Sequence, residues 1–452
     1  MGRRQLNFDD GPAEEVTRGA RGLVVCPDIR GNRYDREAEA RLEEAQGLAE
    51  AIGIERVGSA IIPVRTVRPA TLFGKGQIEN IATACEQEEA QLVIIDGALT
   101  PIQQRNLEQE LQRKVIDRTG LILEIFGERA ATAEGRLQVE LAHLEYQQSR
   151  LVRSWTHLER QRGGYGFLGG PGETQIEADR RLIRQRIARL RKELEQVRRT
   201  RALHRERRGR APWPVIALVG YTNAGKSTLF NRLTGAEVMA EDLLFATLDP
   251  TMRAIELPGV EKAILSDTVG FISDLPTQLV AAFRATLEEV TEADLICHVR
   301  DIAGEQTLAE REQVDAILSD LGVLPEEGGE PIIPIIEVWN KIDRLDTESR
   351  ADLQEQAAGD ADVVPISALT GEGTDVLIRR FSDLLSEEAR TYRLTLPLSD
   401  GRRLAWLHQH GEVLREESDA AGEAQQVEVR LSPKAYGQFV RLPALAETAP
   451  QL

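Results

Sequence analysis

VIALVGYTNAGKSTLFNRLTG, residues 215 to 235, is the stretch on which the fold turns. Val215 to Val219 form a continuous aliphatic run, the composition of a strand buried on both faces. That run delivers Gly220, Tyr221, Thr222, Asn223, Ala224, Gly225, Lys226, Ser227 and Thr228 into a helical segment. The first eight of these satisfy G-x-x-x-x-G-K-[ST] between a strand and a helix, the only setting in which that pattern has a mechanism. Successive amides and the helix N-terminus cradle phosphates, Lys226 reaches the β and γ oxygens, and Ser227 offers a hydroxyl to Mg²⁺. The stretch predicts a P-loop α/β domain, placed at residues 211–389 because Ala211-Pro212-Trp213-Pro214 breaks the preceding helix.

Further motifs follow in order. Ile264-Leu265-Ser266 leads into Asp267, Thr268, Val269 and Gly270, a strand end that sets Asp267 near the metal and the Gly270 amide near a γ-phosphate. Between the two phosphate motifs lie Phe245, Ala246, Thr247, Leu248 and Asp249, where the Thr247 hydroxyl is placed to close over the phosphate and its Mg²⁺. Asp267 is expected to bond to the groups around the ion, and Lys226, Thr247 and Gly270 to carry catalysis. Asn340, Lys341 and Asp343 follow the strand IIPIIEVW, and Ser367, Ala368 and Leu369 follow VVPI. A carboxylate at Asp343 accepts both the N1 hydrogen and the exocyclic amine of guanine, whereas adenine offers no such pair. The set therefore predicts GTP over ATP, since a desolvated carboxylate without its partners rejects the wrong base.

Upstream, LVVCPDI (23 to 29), VGSAIIPV (57 to 64), QLVIID (91 to 96) and KVIDRTG (114 to 120) alternate with helical stretches through 38–52, 77–88 and from Thr100-Pro101. Such alternation predicts a small parallel α/β domain at 21–131, after a loose start at 1–20. From Thr132 the pattern changes. Leu137, Leu141, Leu144, Leu151, Trp155 and Leu158 recur at spacings of three, four and seven, with Gln148 filling the seam position between Leu144 and Leu151, and Ile176, Ile183, Ile187, Leu190, Leu194 and Val197 keep the same seam. Residues 132–210 thus read as two antiparallel helices, an arm about 40 Å long at 1.5 Å per residue. GGYGFLGGPGE (163 to 173) is its turn. Gly164 to Gly169 match G-x-G-x-x-G, but a helix rather than a strand precedes them, which removes the dinucleotide reading. Residues 390–452 predict a small mixed α/β module.

Charge marks the arm. The chain carries a net −18, yet Arg150 to Arg210 hold 18 Lys or Arg against 7 Asp or Glu, a local +11 in a remainder of −29. Basic segments meet phosphate backbones, and aromatic rings at such a tip can stack on unpaired bases. Arg160, Arg162, Tyr165 and Phe167 are therefore candidate RNA contacts, against the plainer reading that the glycines only close a turn. Cys26, Cys85 and Cys297 are odd in number and far apart, fitting a reducing cytoplasm and neither disulfides nor zinc. No stretch approaches the roughly 18 apolar residues of a membrane span. His298, His408 and His410 sit in no catalytic pattern.

The assembled motifs resemble a translation-factor-class GTPase of the Obg-HflX group, and the rest of the chain narrows the likeness to the HflX family. FGKGQIE (73 to 79), DRTGLILEIF (117 to 126), EGRLQVELAHLEYQQSRLVRSWTHLERQRGGYGFLGGPGETQIEADRR (134 to 181), GYTNAGKST, FATLDPT, DTVGF and NKID carry it, across residues 20 to about 440. The resemblance implies a monomeric, ribosome-associated GTPase stimulated by the large subunit, splitting stalled or idle ribosomes. A ribosome-assembly or dormancy factor that binds without splitting is the alternative. An RNA-remodelling ATPase would need a second phosphate loop, which the N-terminal part lacks. Many GTPases carry glutamine just after D-x-x-G to orient water; Phe271 stands there, so hydrolysis by the isolated chain is expected to be slow. Some relatives with asparagine at the position of Asn223 bind K⁺ beside the phosphates, a role the resemblance extends to this residue, against an asparagine that merely holds its own turn.

Overall fold

The computed structural model describes residues 18–32, 34, 36–161, 171–208, 213–236, 244–245, 247–248, 250–258, 260–273, 287, 289–325, 331–387, 390–397, 400–418, 424–431, 436, 439–440 and 442. Side chains within 151–179 and 201–208, and those at 198, 200, 260, 261, 386, 387, 390, 409, 410, 412 and 430, lie outside that description.

The first sheet is fully parallel. Strands β1 (Arg21–Ile29), β2 (Glu55–Val64), β3 (Leu92–Ile95) and β4 (Lys114–Asp117) lie in the order β2-β1-β3-β4. Helices α1 (Ala38–Ala51), α2 (Lys75–Gln87) and α3 (Pro101–Leu111) connect them. Thr100 caps α3 through its hydroxyl, which accepts from the Gln103 amide at 3.2 Å, while the Gln103 side chain returns to the Thr100 amide at 2.9 Å. KVIDRTG does not continue as a strand to 120. It ends at Asp117, whose carboxylate accepts from the Gly120 amide at 2.8 Å and opens helix α4 (Arg118–Arg129) with no loop between.

Helices α5 (Ala133–Gln161) and α6 (Pro171–Arg208) form the arm. The nine residues between them reach roughly 35 Å at full stretch. That is too short to retrace the 29-residue α5 at 1.5 Å per residue, so the helices run antiparallel. Arg186 grips Glu140 through both Nε and Nη2, at 2.7 and 2.9 Å, and Arg191 reaches Glu145 at 2.8 Å. Ile187, Leu190 and Leu194 of the predicted seam are buried. Arg162, Tyr165 and Phe167 lie outside the described residues, and Arg160 is described only as part of α5.

The second sheet comprises β5 (Val215–Val219), β6 (Thr251–Leu257), β7 (Val260–Asp267), β8 (Leu295–Asp301), β9 (Ile335–Asn340) and β10 (Val363–Pro365) in the order β10-β9-β8-β5-β7-β6. Only the β6–β7 pair is antiparallel. Helices α7 (Lys226–Thr234), α8 (Thr307–Asp320), α9 (Thr347–Ala358) and α10 (Thr374–Glu387) accompany this sheet. Strand β5 sits centrally, buried on both faces, and aims its carboxyl end at the phosphate loop, where α/β sheets bind ligands. A third, antiparallel sheet, β11 (Arg390–Pro397), β13 (Ala424–Leu431) and β12 (Glu412–Ser418), packs with α11 (Gly401–His410) around Leu396, Leu407, Val427, Val429 and Phe439.

One apolar cluster crosses from the first sheet's helices to the second sheet. Ala45 and Leu48 of α1 and Leu121 and Phe126 of α4 share it with Tyr221, Phe245, Val269 and Phe271. The N-terminal layer therefore rests against the loops that the motifs assign to the nucleotide.

Candidate nucleotide site

The phosphate loop takes the shape its sequence requires. Gly225 has φ +94°, a backbone that side-chain-bearing residues rarely adopt, and a Cβ there would stand 2.2 Å from Asn340 Nδ2. Lys226 Nζ donates back to the carbonyls of Gly220 at 3.1 Å and Tyr221 at 2.6 Å, which holds the ammonium beneath the loop. Burial pulls the Lys226 pKa down from 10.5 to about 8. Asn223 is solvent-exposed with φ +59°, and Thr228 lies one turn into α7.

Three oxygens converge next to Lys226. Ser227 Oγ and Thr247 Oγ1 stand 2.9 Å apart, and Asp267 Oδ2 accepts from both, at 2.9 and 2.8 Å. Thr247 is thus closed over Ser227 and Asp267, though 20 residues separate it from either. Asp267 is fully buried, its burial raises its pKa, and its Oδ1 has no hydrogen-bond partner. Two hydroxyls and a desolvated carboxylate with a spare lone pair form an all-oxygen donor set that suits Mg²⁺. Among the described residues no group of three or more His, Cys, Asp or Glu could hold a metal ion.

Gly270 presses directly on the phosphate loop. A Cβ there would meet Thr222 Cγ2 at 2.8 Å and Lys226 Nζ at 3.2 Å. The neighbouring backbone is zipped to the same loop, with the Thr222 amide donating to Phe271 O at 2.8 Å and the Phe271 amide to Gly220 O at 3.1 Å. Thr268 anchors the turn through Oγ1 to Leu218 O at 2.5 Å, and Val269 is buried beneath it. The Phe271 side chain is buried in the apolar cluster and has no polar atom to orient water.

The base-side residues also come together. Asn340 Nδ2 donates to Ala224 O at 2.8 Å, and Asn340 Oδ1 accepts from the Ala368 amide at 2.9 Å, clamping the phosphate loop to the 367–369 loop. Lys341, in a left-handed backbone at φ +68°, pairs with Asp301 at 2.7 Å. Asp343 is exposed, while Ser367 is buried and accepts from the Thr370 amide at 3.1 Å. Arg232 of α7 holds the carbonyls of Ala368 and of Leu369, whose side chain is exposed. Ala246 and Asp249 lie outside the described residues. Phe245 is buried and meets Phe126 of α4 edge-on, 5.0 Å between ring centroids, and Leu248 is buried in the same cluster.

The family model described as "50S ribosome-binding GTPase" matches residues 215–341, and the GTP-binding GTPase N-terminal and middle regions match 39–127 and 129–208. The model described as "HflX C-terminal domain" matches 352–442. A relative named "GTPase HflX" from Magnetococcus marinus is 53% identical over 373 residues, 82% of this chain and 84% of its own. The chain belongs to the HflX GTPase family. Its relative from Escherichia coli K12, also named "GTPase HflX", is 46% identical over 81% of this chain and 84% of its own. A solved GTP-binding protein of Sulfolobus solfataricus in complex with GDP is 27% identical, covers 81% of this chain and 99% of its own, and has a TM-score of 0.43. As an HflX-family member the chain is a GTPase built on a P-loop domain, a family that generally uses Mg²⁺. No helix among its described residues is long and apolar enough to cross a membrane.

Sequence reasoning missed several groups around this site. Tyr221 lies in the phosphate loop, but its hydroxyl donates to Glu44 of α1 at 2.9 Å, and Arg36 donates to that hydroxyl at 3.1 Å. Ser273, two residues past Phe271, is held by Tyr221, Glu44 and Arg118. Arg118 stands in the DRTG stretch that carried the resemblance. Nothing in the linear pattern joins Glu44 to a loop 229 residues away.

Proposed function

We propose that the chain is a monomeric, GTP-driven factor of the large ribosomal subunit that separates stalled or idle ribosomes and leaves after hydrolysis. Lys226 neutralises phosphate charge, Ser227 and Thr247 hold Mg²⁺ with Asp267 behind them, and the Gly270 amide meets the γ-phosphate. Asp343 reads guanine. Bound Mg²⁺ would supply charge neutralisation at the phosphates.

The observation that carries the ribosomal part is a +11 segment, residues 150–210, inside a −18 chain, its described residues belonging to the two helices α5 and α6 that precede the nucleotide domain. An isolated basic arm in an acidic protein fits a polyanionic partner such as ribosomal RNA. The buried phenylalanine at 271 agrees, because a site without a water-orienting side chain suits activation by a partner.

Intact ribosomes sedimented with the protein and a non-hydrolysable GTP analogue test the reading. Separated subunits are expected. Unchanged particles carrying bound protein would replace splitting with an assembly or dormancy role, and unbound protein would remove the ribosomal reading altogether.

A further inference from the structure

Asp117, the last residue of β4, and Arg118, the first of α4, face in different directions and hold different parts of the molecule. Arg118 points toward the nucleotide domain. Its Nη2 donates to the backbone carbonyl of Ser273 at 2.9 Å and to Glu44 Oε1, while Nη1 binds Asp96 at 2.6 Å. Glu44 Oε2 in turn accepts from Tyr221 Oη at 2.9 Å and Ser273 Oγ at 3.0 Å. The phosphate loop and the segment just past Gly270 therefore share one buried anchor in the N-terminal layer.

Asp117 points toward the arm. Its Oδ1 accepts from Tyr146 Oη at 2.6 Å and its Oδ2 from Arg150 at 2.8 Å, both on α5. Asp117 is buried, and its remaining bonds go to the amides of Leu99 and Gly120. Burial and the facing carboxylate push the Tyr146 phenol well above its ordinary range, so it stays a donor at any working pH.

We infer that the Asp117–Arg118 pair couples the nucleotide site to the helical arm, with Arg118 and Tyr146 acting as positioning residues for GTP turnover. The loop at Gly270 is where a γ-phosphate makes its difference, and loops that meet that phosphate have two arrangements. Any rearrangement of that loop would carry the Ser273 carbonyl with it. Arg118 is a rigid fork bound at three points, so it cannot follow Ser273 without disturbing Glu44, Asp96 or its own backbone, and that backbone adjoins Asp117. Asp117 then shifts against Tyr146 and Arg150, and α5 turns. A second contact runs alongside, since Phe245 between the phosphate motifs meets Phe126 on the same α4. The inference needs no ribosome, so it stands apart from the proposed partner.

Tyr146→Phe removes one hydroxyl on the arm and alters nothing in the nucleotide domain. Arg118→Lys keeps the charge but loses the fork. The test measures the intrinsic kcat for GTP and the ratio of GTP-analogue to GDP affinity in the full-length protein, the two variants and their combination. Coupled contacts show interaction effects of this kind. Tyr146→Phe is expected to change at least one of these quantities threefold or more, and to add little once Arg118→Lys is present. Amide exchange in residues 140–150 is expected to differ between GDP and the analogue in the parent and to lose that difference in Arg118→Lys. Should Arg118→Lys fail to fold, Tyr146→Phe with amide exchange of the parent still decides. Values for Tyr146→Phe that all stay within threefold of the parent, or an arm whose exchange ignores the nucleotide, overturn the inference.

Discussion

The side chain of Asn340 bonds to the Ala224 carbonyl at 2.8 Å, joining the end of β9 to the phosphate loop across 116 residues. The same carboxamide takes the Ala368 amide, so one residue fixes the distance between the phosphate loop and the 367–369 loop. Asn340→Ala leaves a buried carbonyl and a buried N–H unpaired, each costing about 1–3 kcal/mol. GDP and GTP affinities are expected to fall together, by tenfold or more, in a titration with a fluorescent nucleotide. Unchanged affinity would mean the clamp is idle.

Asp343→Asn is expected to exchange guanine for xanthine preference. An amide presents a donor where the carboxylate presented an acceptor, and xanthine carries a carbonyl in place of guanine's amine. Competition between GTP and XTP reads the switch; intact GTP selectivity would place the base elsewhere.

Removing either hydroxyl of the oxygen cluster separates binding from turnover. On the proposed role of Thr247 at the γ-phosphate and its ion, Thr247→Ala is expected to keep GDP affinity while lowering kcat roughly a hundredfold. Ser227→Ala is expected to raise the Mg²⁺ concentration needed for half-maximal hydrolysis by about 10–100-fold. A magnesium titration of hydrolysis distinguishes the two, and equal curves for parent and Ser227→Ala would exclude Ser227 as a ligand.

Lys226 gives a pH signature. Its folded-state pKa lies near 8, below the ordinary 10.5, so the ligand-free protein loses this charge as pH rises through 8. Phosphates require the ammonium, so GTP affinity is expected to hold steady below pH 7.5 and to weaken above 8, by at most about tenfold per pH unit. Stability without ligand moves the other way. The unfolded chain keeps this proton up to 10.5 while the folded chain releases it near 8, so this group makes stability rise with pH between those values. Calorimetric titration at several pH values tests the first effect; affinity flat to pH 9 would contradict it.

Asn223 tests the cation reading. Hydrolysis is expected to run faster in KCl than in NaCl at equal ionic strength, with Asn223→Ala erasing the difference. Identical rates in the two salts would leave Asn223 as a turn residue.

Local signals were the legible ones. The phosphate loop, the helix start at Thr100-Pro101 and the strands at 23–29 and 91–96 follow from turn chemistry and apolar runs that a few neighbouring residues determine. The helix at Arg118 was hidden because Asp117 ends a strand and caps a helix at once, leaving no loop residues to announce the change. Glu44, Arg118 and Ser273 were illegible for a different reason. A charged residue on an amphipathic helix reads as solvent-facing, and only packing one layer on another turns Glu44 into a buried acceptor. Phe245 and Phe126 likewise read as ordinary core residues, yet their contact spans two sheets' helices and loops.

The central claim is that the basic arm brings this GTPase to the large ribosomal subunit and that binding drives turnover. The most direct measurement is steady-state GTP hydrolysis by the full chain and by a chain lacking Gly163 to Gly172, each with and without purified large subunits. The account predicts slow hydrolysis by both alone, at least tenfold stimulation of the full chain by subunits, and a much smaller response from the shortened one. A full chain indifferent to subunits, or a shortened chain stimulated equally, would contradict it.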